Sequence, residues 1–104
     1  MQKATKVNKT DYDRILDYNE PQFNYYKLAE ELAELSEVVL KRYGKKPDHK
    51  PSIEKLIEES GDVLVRLKIL IRMEGIQKNV VARKRQKLNQ LIDYIEKGKY
   101  KGGV

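Results

Sequence analysis

The 104-residue sequence predicts an all-α fold. Apolar residues recur at helical spacing in three long segments, Pro and Gly punctuate the ends of those segments, and no alternation of apolar and polar residues lasts long enough for a strand. No internal repeat or heptad series is visible. The expectation is a single domain, residues 1–104, built as a compact bundle of three main helices behind an N-terminal arm.

Residues 1–18 mix Lys, Thr, Asp and Tyr without a sustained period and read as an extended or weakly ordered arm with one short turn of helix at most. Asn19-Glu20-Pro21 reads as a helix entrance, because Pro is tolerated in the first turn, where its missing N–H has no partner to lose. The first helix then runs to about Arg42. Leu28, Leu32, Leu35 and Val39 supply its buried face, and Lys41 and Arg42 suit the negative end of the helix dipole. The loop Gly44 to Pro51, with one Gly and two Pro, resists regular structure. Ser52 is the expected N-cap of a second helix that carries Glu54 in its first turn and stops at Gly75. The third helix covers about Asn79 to Lys97, with Val81, Leu88, Leu91, Ile92 and Ile95 on one face and Gly98 as its stop. The tail, residues 99–104, is expected to be flexible.

The second helix is apolar on two sides. Ile53, Leu56, Ile57, Leu64, Leu67 and Ile71 form one face, and Val65 and Ile69 form a stripe opposite. A helix of that kind needs cover on both sides. With only three substantial helices in the chain, a second copy is the simplest cover, so the bundle is expected to be completed by dimerisation, as a homodimer or a dimer of dimers.

Composition removes several chemistries. There is no Cys, which excludes disulfides, thiolate nucleophiles and Cys-based metal sites, and the single His49 excludes two-His sites. The apolar runs are far short of a membrane span and no leader opens the chain, so a soluble, cytoplasmic protein with no membrane partner is expected. The net charge of +6 is unevenly placed: residues 1–20 carry four bases and four acids, residues 21–75 ten and ten, and residues 76–104 eight and two. Within the neutral middle, Glu30, Glu31, Glu34 and Glu37 fall in a run with no base.

Glu31 and Glu34 stand three residues apart on the first helix, and Glu59 and Asp62 three apart on the second. Each pair therefore occupies one side of its helix, and antiparallel packing would bring four carboxylates together. Glu-x-x-Glu on a solvated helix surface is commonplace, because Glu is a strong helix former. Here, however, Glu31 borders the apolar arc and Val38 falls between Glu31 and Glu34 on the wheel, whereas Glu30 and Glu37 face away. Four converging carboxylates repel one another unless a cation neutralises them, and oxygen-only ligands select a hard ion such as Mg²⁺.

Leu28-Ala29-Glu30-Glu31-Leu32-Ala33-Glu34-Leu35, followed after a loop by Ile57-Glu58-Glu59-Ser60-Gly61-Asp62-Val63-Leu64, resembles the paired motif of the MazG-like all-α nucleoside triphosphate pyrophosphohydrolases. The resemblance spans about Gln22 to Gly98. It implies the all-α NTP pyrophosphatase-like fold, dimerisation, and Mg²⁺, with Mn²⁺ as the alternative, held by Glu31, Glu34, Glu59 and Asp62 as catalytic ligands. It also implies hydrolysis of a nucleoside triphosphate to the monophosphate and pyrophosphate, in nucleotide-pool control or house-cleaning. Glu30 and Glu58 would stand behind the ligands. Basic residues of the final helix commonly reach toward phosphate in related sequences, which makes Lys84 and Lys87, then Arg85, the expected substrate contacts. Lys27 and Arg66, each one turn from a motif carboxylate, are further candidates for phosphate or for an intrahelical ion pair. Phe23, Tyr25 and Tyr26 could stack on a base, although aromatics at helical spacing more often belong to a core. No aromatic follows Asp62 before Glu74, which argues against the pyrimidine preference of better-known relatives.

Two other classes fit the composition less well. A small helical nucleic-acid-binding protein would use the basic third helix and the Lys-rich tail, but an acidic helix of similar length opposes it. A non-catalytic interaction protein, a degenerate member of the same family, is disfavoured by the four intact carboxylates.

Overall fold

A computed structural model describes residues 9–44 and 50–98. It is all-helical, with four helices and no strand among the described residues: α1 (Lys9–Tyr18), α2 (Pro21–Tyr43), α3 (Ile53–Glu74) and α4 (Gln77–Glu96). The chain divides into two compact units, Met1–Glu74, which holds α1 to α3, and Gly75–Val104, which holds α4.

Helix ends follow the local chemistry of the sequence. Pro21 sits in the first turn of α2. The Ser52 hydroxyl accepts a hydrogen bond from the Lys55 N–H at 3.1 Å, satisfying an otherwise orphan donor at the start of α3. Gly75, at φ 67°, ends α3 in a left-handed conformation that a side chain would disfavour, and Gly98 at φ 69° does the same after α4. The N-terminal segment departs from expectation. Instead of an extended or weakly ordered arm with a single short turn, α1 is a ten-residue helix, held to α3 by Arg72, whose Nε and Nη2 both lie 2.8 Å from Asp13 Oδ1. Residues 1–8, the loop 45–49 with His49, and the tail 99–104 lie outside the described residues.

Helices α2 and α3 form an antiparallel pair. At one end the Tyr25 hydroxyl donates to Glu74 at 2.8 Å, and at the other Arg42 donates to the Pro51 carbonyl at 2.8 Å. The buried stripe of α2 is Asn24, Leu28 and Val38, with Glu31 and Leu35 half-buried between them. This corrects the expected face, since Leu32 and Val39 are 47% and 40% exposed. The inward side is rotated by about 50° toward Glu31. On α3 the buried residues are Glu59, Val63 and Ile69, with Leu56, Arg66, Leu70 and Met73 half-buried, whereas Ile53, Ile57, Leu64 and Leu67 of the expected face are exposed. Ile69, assigned to the minor stripe, is the most enclosed apolar residue at 1% exposure. The physical reason is the position of α1. It covers the side of the α2–α3 pair that carries Ile69, leaving the more apolar side uncovered by α1.

α4, described by itself, is a continuous helix with no buried residue. Its apolar Val81, Leu88, Ile92 and Ile95 are exposed, as are Lys84, Arg85 and Lys87.

Candidate metal centre

The rotated faces of α2 and α3 place acids where apolar residues are the usual occupants. Glu31 interrupts the inward stripe of α2 between Leu28 and Leu35, and Glu59 interrupts that of α3 between Leu56 and Val63. Antiparallel packing brings the two positions together. Glu31, Glu34 and Glu59 each offer a carboxylate oxygen within 4.8 Å of the others.

These carboxylates are not equivalent. Glu59 is 4% exposed; one of its oxygens takes an ion pair from Lys55 Nζ at 3.1 Å, and the other is buried without a hydrogen-bond partner. One oxygen of Glu31 is likewise buried and unpartnered. A buried oxygen of a charged group normally finds a donor, because leaving it bare costs its full hydration. Glu34 lies at the open side, and its carboxyl is held above the usual glutamate range. Partial desolvation is the largest cause, followed by contact with the Glu31 carboxyl and the charges of Glu59, Glu31 and Glu30. Lys55 responds in the opposite sense: its ammonium is held more tightly protonated, first by the hydrogen bond to Glu59 and then by the charges of Glu58 and Glu59.

Asp62, the fourth expected ligand, is not part of the three-carboxylate cluster. It is half-buried one turn beyond Glu59, and with Glu31 it lines an adjoining groove of about 370 Å³ completed by Ile15, Asn19, Val65, Arg66 and Ile69. A larger hollow of about 460 Å³ lies along α1, lined by Asp11, Arg14, Ile15, Tyr18 and Asn19, and contains none of the four motif carboxylates. Glu30 and Glu58 point outward as the wheel indicates and are engaged by Lys27 at 2.6 Å and Lys55 at 3.7 Å. Glu37 pairs with Lys41 at 2.8 Å.

The aromatic candidates separate. Phe23 lies under the Arg66 guanidinium, 5.8 Å from its centre, while Tyr25 is tied to Glu74, and the Tyr26 hydroxyl accepts from Gln22 at 3.2 Å. Sequence reasoning missed Asn24, 1% exposed, which accepts from Asn19 at 3.2 Å and donates to the Met73 sulfur at 3.4 Å, fastening the chain entering α2 to the end of α3. An Asn four residues before Leu28, in register with the acids, was the available signal.

The donor set fits a hard divalent cation. It is all oxygen, carries several negative charges, and includes two buried oxygens that lack a donor. Comparison of the chain with protein-family models, with curated proteins and with solved structures finds no match.

Proposed function

We propose that this protein is a divalent-cation-dependent nucleoside triphosphate pyrophosphohydrolase, with Mg²⁺ or Mn²⁺ as the resident cation. The observation that carries the reading is the buried, donor-less oxygen of Glu59 within a cluster of three carboxylates contributed by two antiparallel helices. The paired Glu-x-x-Glu and Glu-x-x-Asp spacing supports the reaction class. In that reaction water adds at the α-phosphorus and the α–β anhydride bond breaks, giving a nucleoside monophosphate and pyrophosphate.

Glu31, Glu34 and Glu59 would hold the cation, with Asp62 at the groove side as the fourth carboxylate. When bound, it supplies neutralisation of polyphosphate charge and acidification of a water molecule. Glu59 is fixed in place by burial, and Glu34, at the open side, is the carboxyl whose proton affinity is raised. Lys84, Lys87 and Arg85 of α4 remain the proposed phosphate contacts on sequence grounds.

The proposed assembly is a homodimer or a dimer of dimers. Its support is the side of the α2–α3 pair opposite α1, where Leu32, Val39, Ile53, Ile57, Leu64 and Leu67 stay exposed.

The test is a panel of ribo- and deoxyribonucleoside triphosphates incubated with the purified protein, with and without Mg²⁺, with the products resolved. Expected are monophosphate and pyrophosphate only with metal, both lost in Glu59→Gln, Glu34→Gln and Asp62→Asn. Release of diphosphate and orthophosphate would contradict the bond assignment. Salt-sensitive oligonucleotide binding without turnover would replace the enzyme reading by the nucleic-acid one.

A further inference from the structure

The groove beside the carboxylates contains a base that none of them takes up. Arg66 lines it together with Glu31 and Asp62. It follows Asp62 by four residues, a spacing at which an intrahelical ion pair is the ordinary outcome. No such pair forms among the described residues. The guanidinium lies instead over the Phe23 ring, 5.8 Å from its centre. A guanidinium drawn to an aromatic ring is attracted by the ring's quadrupole and gives up none of its N–H donors to a hydrogen-bond acceptor. Lys27, the other base one turn from a motif carboxylate, differs: Glu30 takes it up at 2.6 Å.

The remaining lining sharpens the chemistry. Ile15, Val65 and Ile69 add apolar lining to the groove, and a charged hydrogen bond beside apolar side chains meets less competition from water. Glu31 and Asp62 repel a bare anion. An anion already paired with a divalent cation meets carboxylates through the metal and Arg66 through its oxygens.

We propose that Arg66, steadied by Phe23, is a phosphate-binding residue of this groove, receiving the anionic part of a metal–polyphosphate ligand. The proposal rests on the cation-dependent reading of the neighbouring carboxylates and adds a contact from α3 itself to those expected from α4.

The experiment is isothermal titration calorimetry on the full chain and on Arg66→Met, Arg66→Lys and Phe23→Leu, with two titrants: Mn²⁺ alone, and inorganic pyrophosphate in excess Mg²⁺. Arg66→Met is expected to weaken pyrophosphate binding by about tenfold or more, the scale of a lost hydrogen bond to a charged group, with Mn²⁺ binding unchanged or tighter because a nearby positive charge is gone. Arg66→Lys keeps the charge but loses the planar fork, and Phe23→Leu loses the ring beneath it; both are expected to show smaller losses in the same direction. These two variants also carry the test if Arg66→Met does not fold. Undiminished pyrophosphate binding across the variants overturns the proposal, as does an equal loss of Mn²⁺ binding. A wild-type protein that binds Mn²⁺ but not pyrophosphate overturns this assignment and leaves the metal centre standing. One that binds neither overturns both.

Discussion

Glu59 and Glu34 show how two carboxylates of one cluster come to do different work. Glu59 is enclosed between helices and ion-paired, whereas Glu34 is open to solvent on one side and pressed by like charge on the other. The raised proton affinity of Glu34 has a definite sign. In the metal-free folded protein this carboxyl binds a proton more readily than in the unfolded chain, where it returns to the ordinary value of 4.5. Its ionisation therefore opposes folding. That penalty is fully present above the raised folded value and is relieved as pH falls through that value toward 4.5. Metal-free Glu34→Gln is accordingly expected to melt above the wild type at neutral pH, with the difference shrinking on acidification through this window. Paired thermal melts across the pH range would check this, and a difference independent of pH would remove the account. At this scale the sequence disclosed the acids and their spacing. It did not disclose that Glu31 and Glu59 occupy core positions, because Leu32, Val39, Ile57 and Leu64 give a stronger apolar pattern on another side of the same helices.

The helices themselves were largely legible. Pro21, Ser52, Gly75 and Gly98 mark ends whose causes act within a turn of the chain, so the bounds of α2, α3 and α4 come within two residues of those read from composition and spacing. Ser52 is the simplest of these to test. Ser52→Ala removes the side-chain acceptor of the Lys55 N–H and is expected to cost about 1 kcal/mol, measured by chemical denaturation. Ser52→Asp, which restores an acceptor and adds favourable charge at the helix N-terminus, should recover it; no change in either variant would mean that the cap contributes nothing. α1 was not legible. Its ten residues are short for an isolated helix, and its order is bound up with α3, through Asp13 with Arg72 and the Tyr12 ring with Lys68, partners 59 and 56 residues away that no local pattern announces.

For the whole molecule, the apolar side of the α2–α3 pair that α1 leaves open has the largest consequence. Sedimentation equilibrium is expected to return a dimer or tetramer, and Leu64→Lys with Ile57→Glu to return smaller species that retain helical circular dichroism. These two residues are 66% and 64% exposed, so charge at either is tolerated in the isolated chain and penalised only in an interface. A wild-type monomer at all concentrations would remove the proposed assembly.

The sequence by itself determined the helical class, the ends of three helices and the two acidic pairs, because these depend on spacing within a few turns and on residues that cap, stop or charge a helix locally. It also located the surplus of positive charge in the final stretch. Only the tertiary structure decided which side of each helix faces its neighbour, since both sides of α3 are apolar enough to be buried and the choice depends on where α1 lies. That choice enclosed Glu59, left one oxygen of Glu31 and one of Glu59 without donors, set Asp62 in the groove rather than the cluster, and placed Arg66 over Phe23. Spacing along one helix fixes angles about its own axis; it carries no term for the rotation of one helix against another, and the chemistry of this site resides in that rotation.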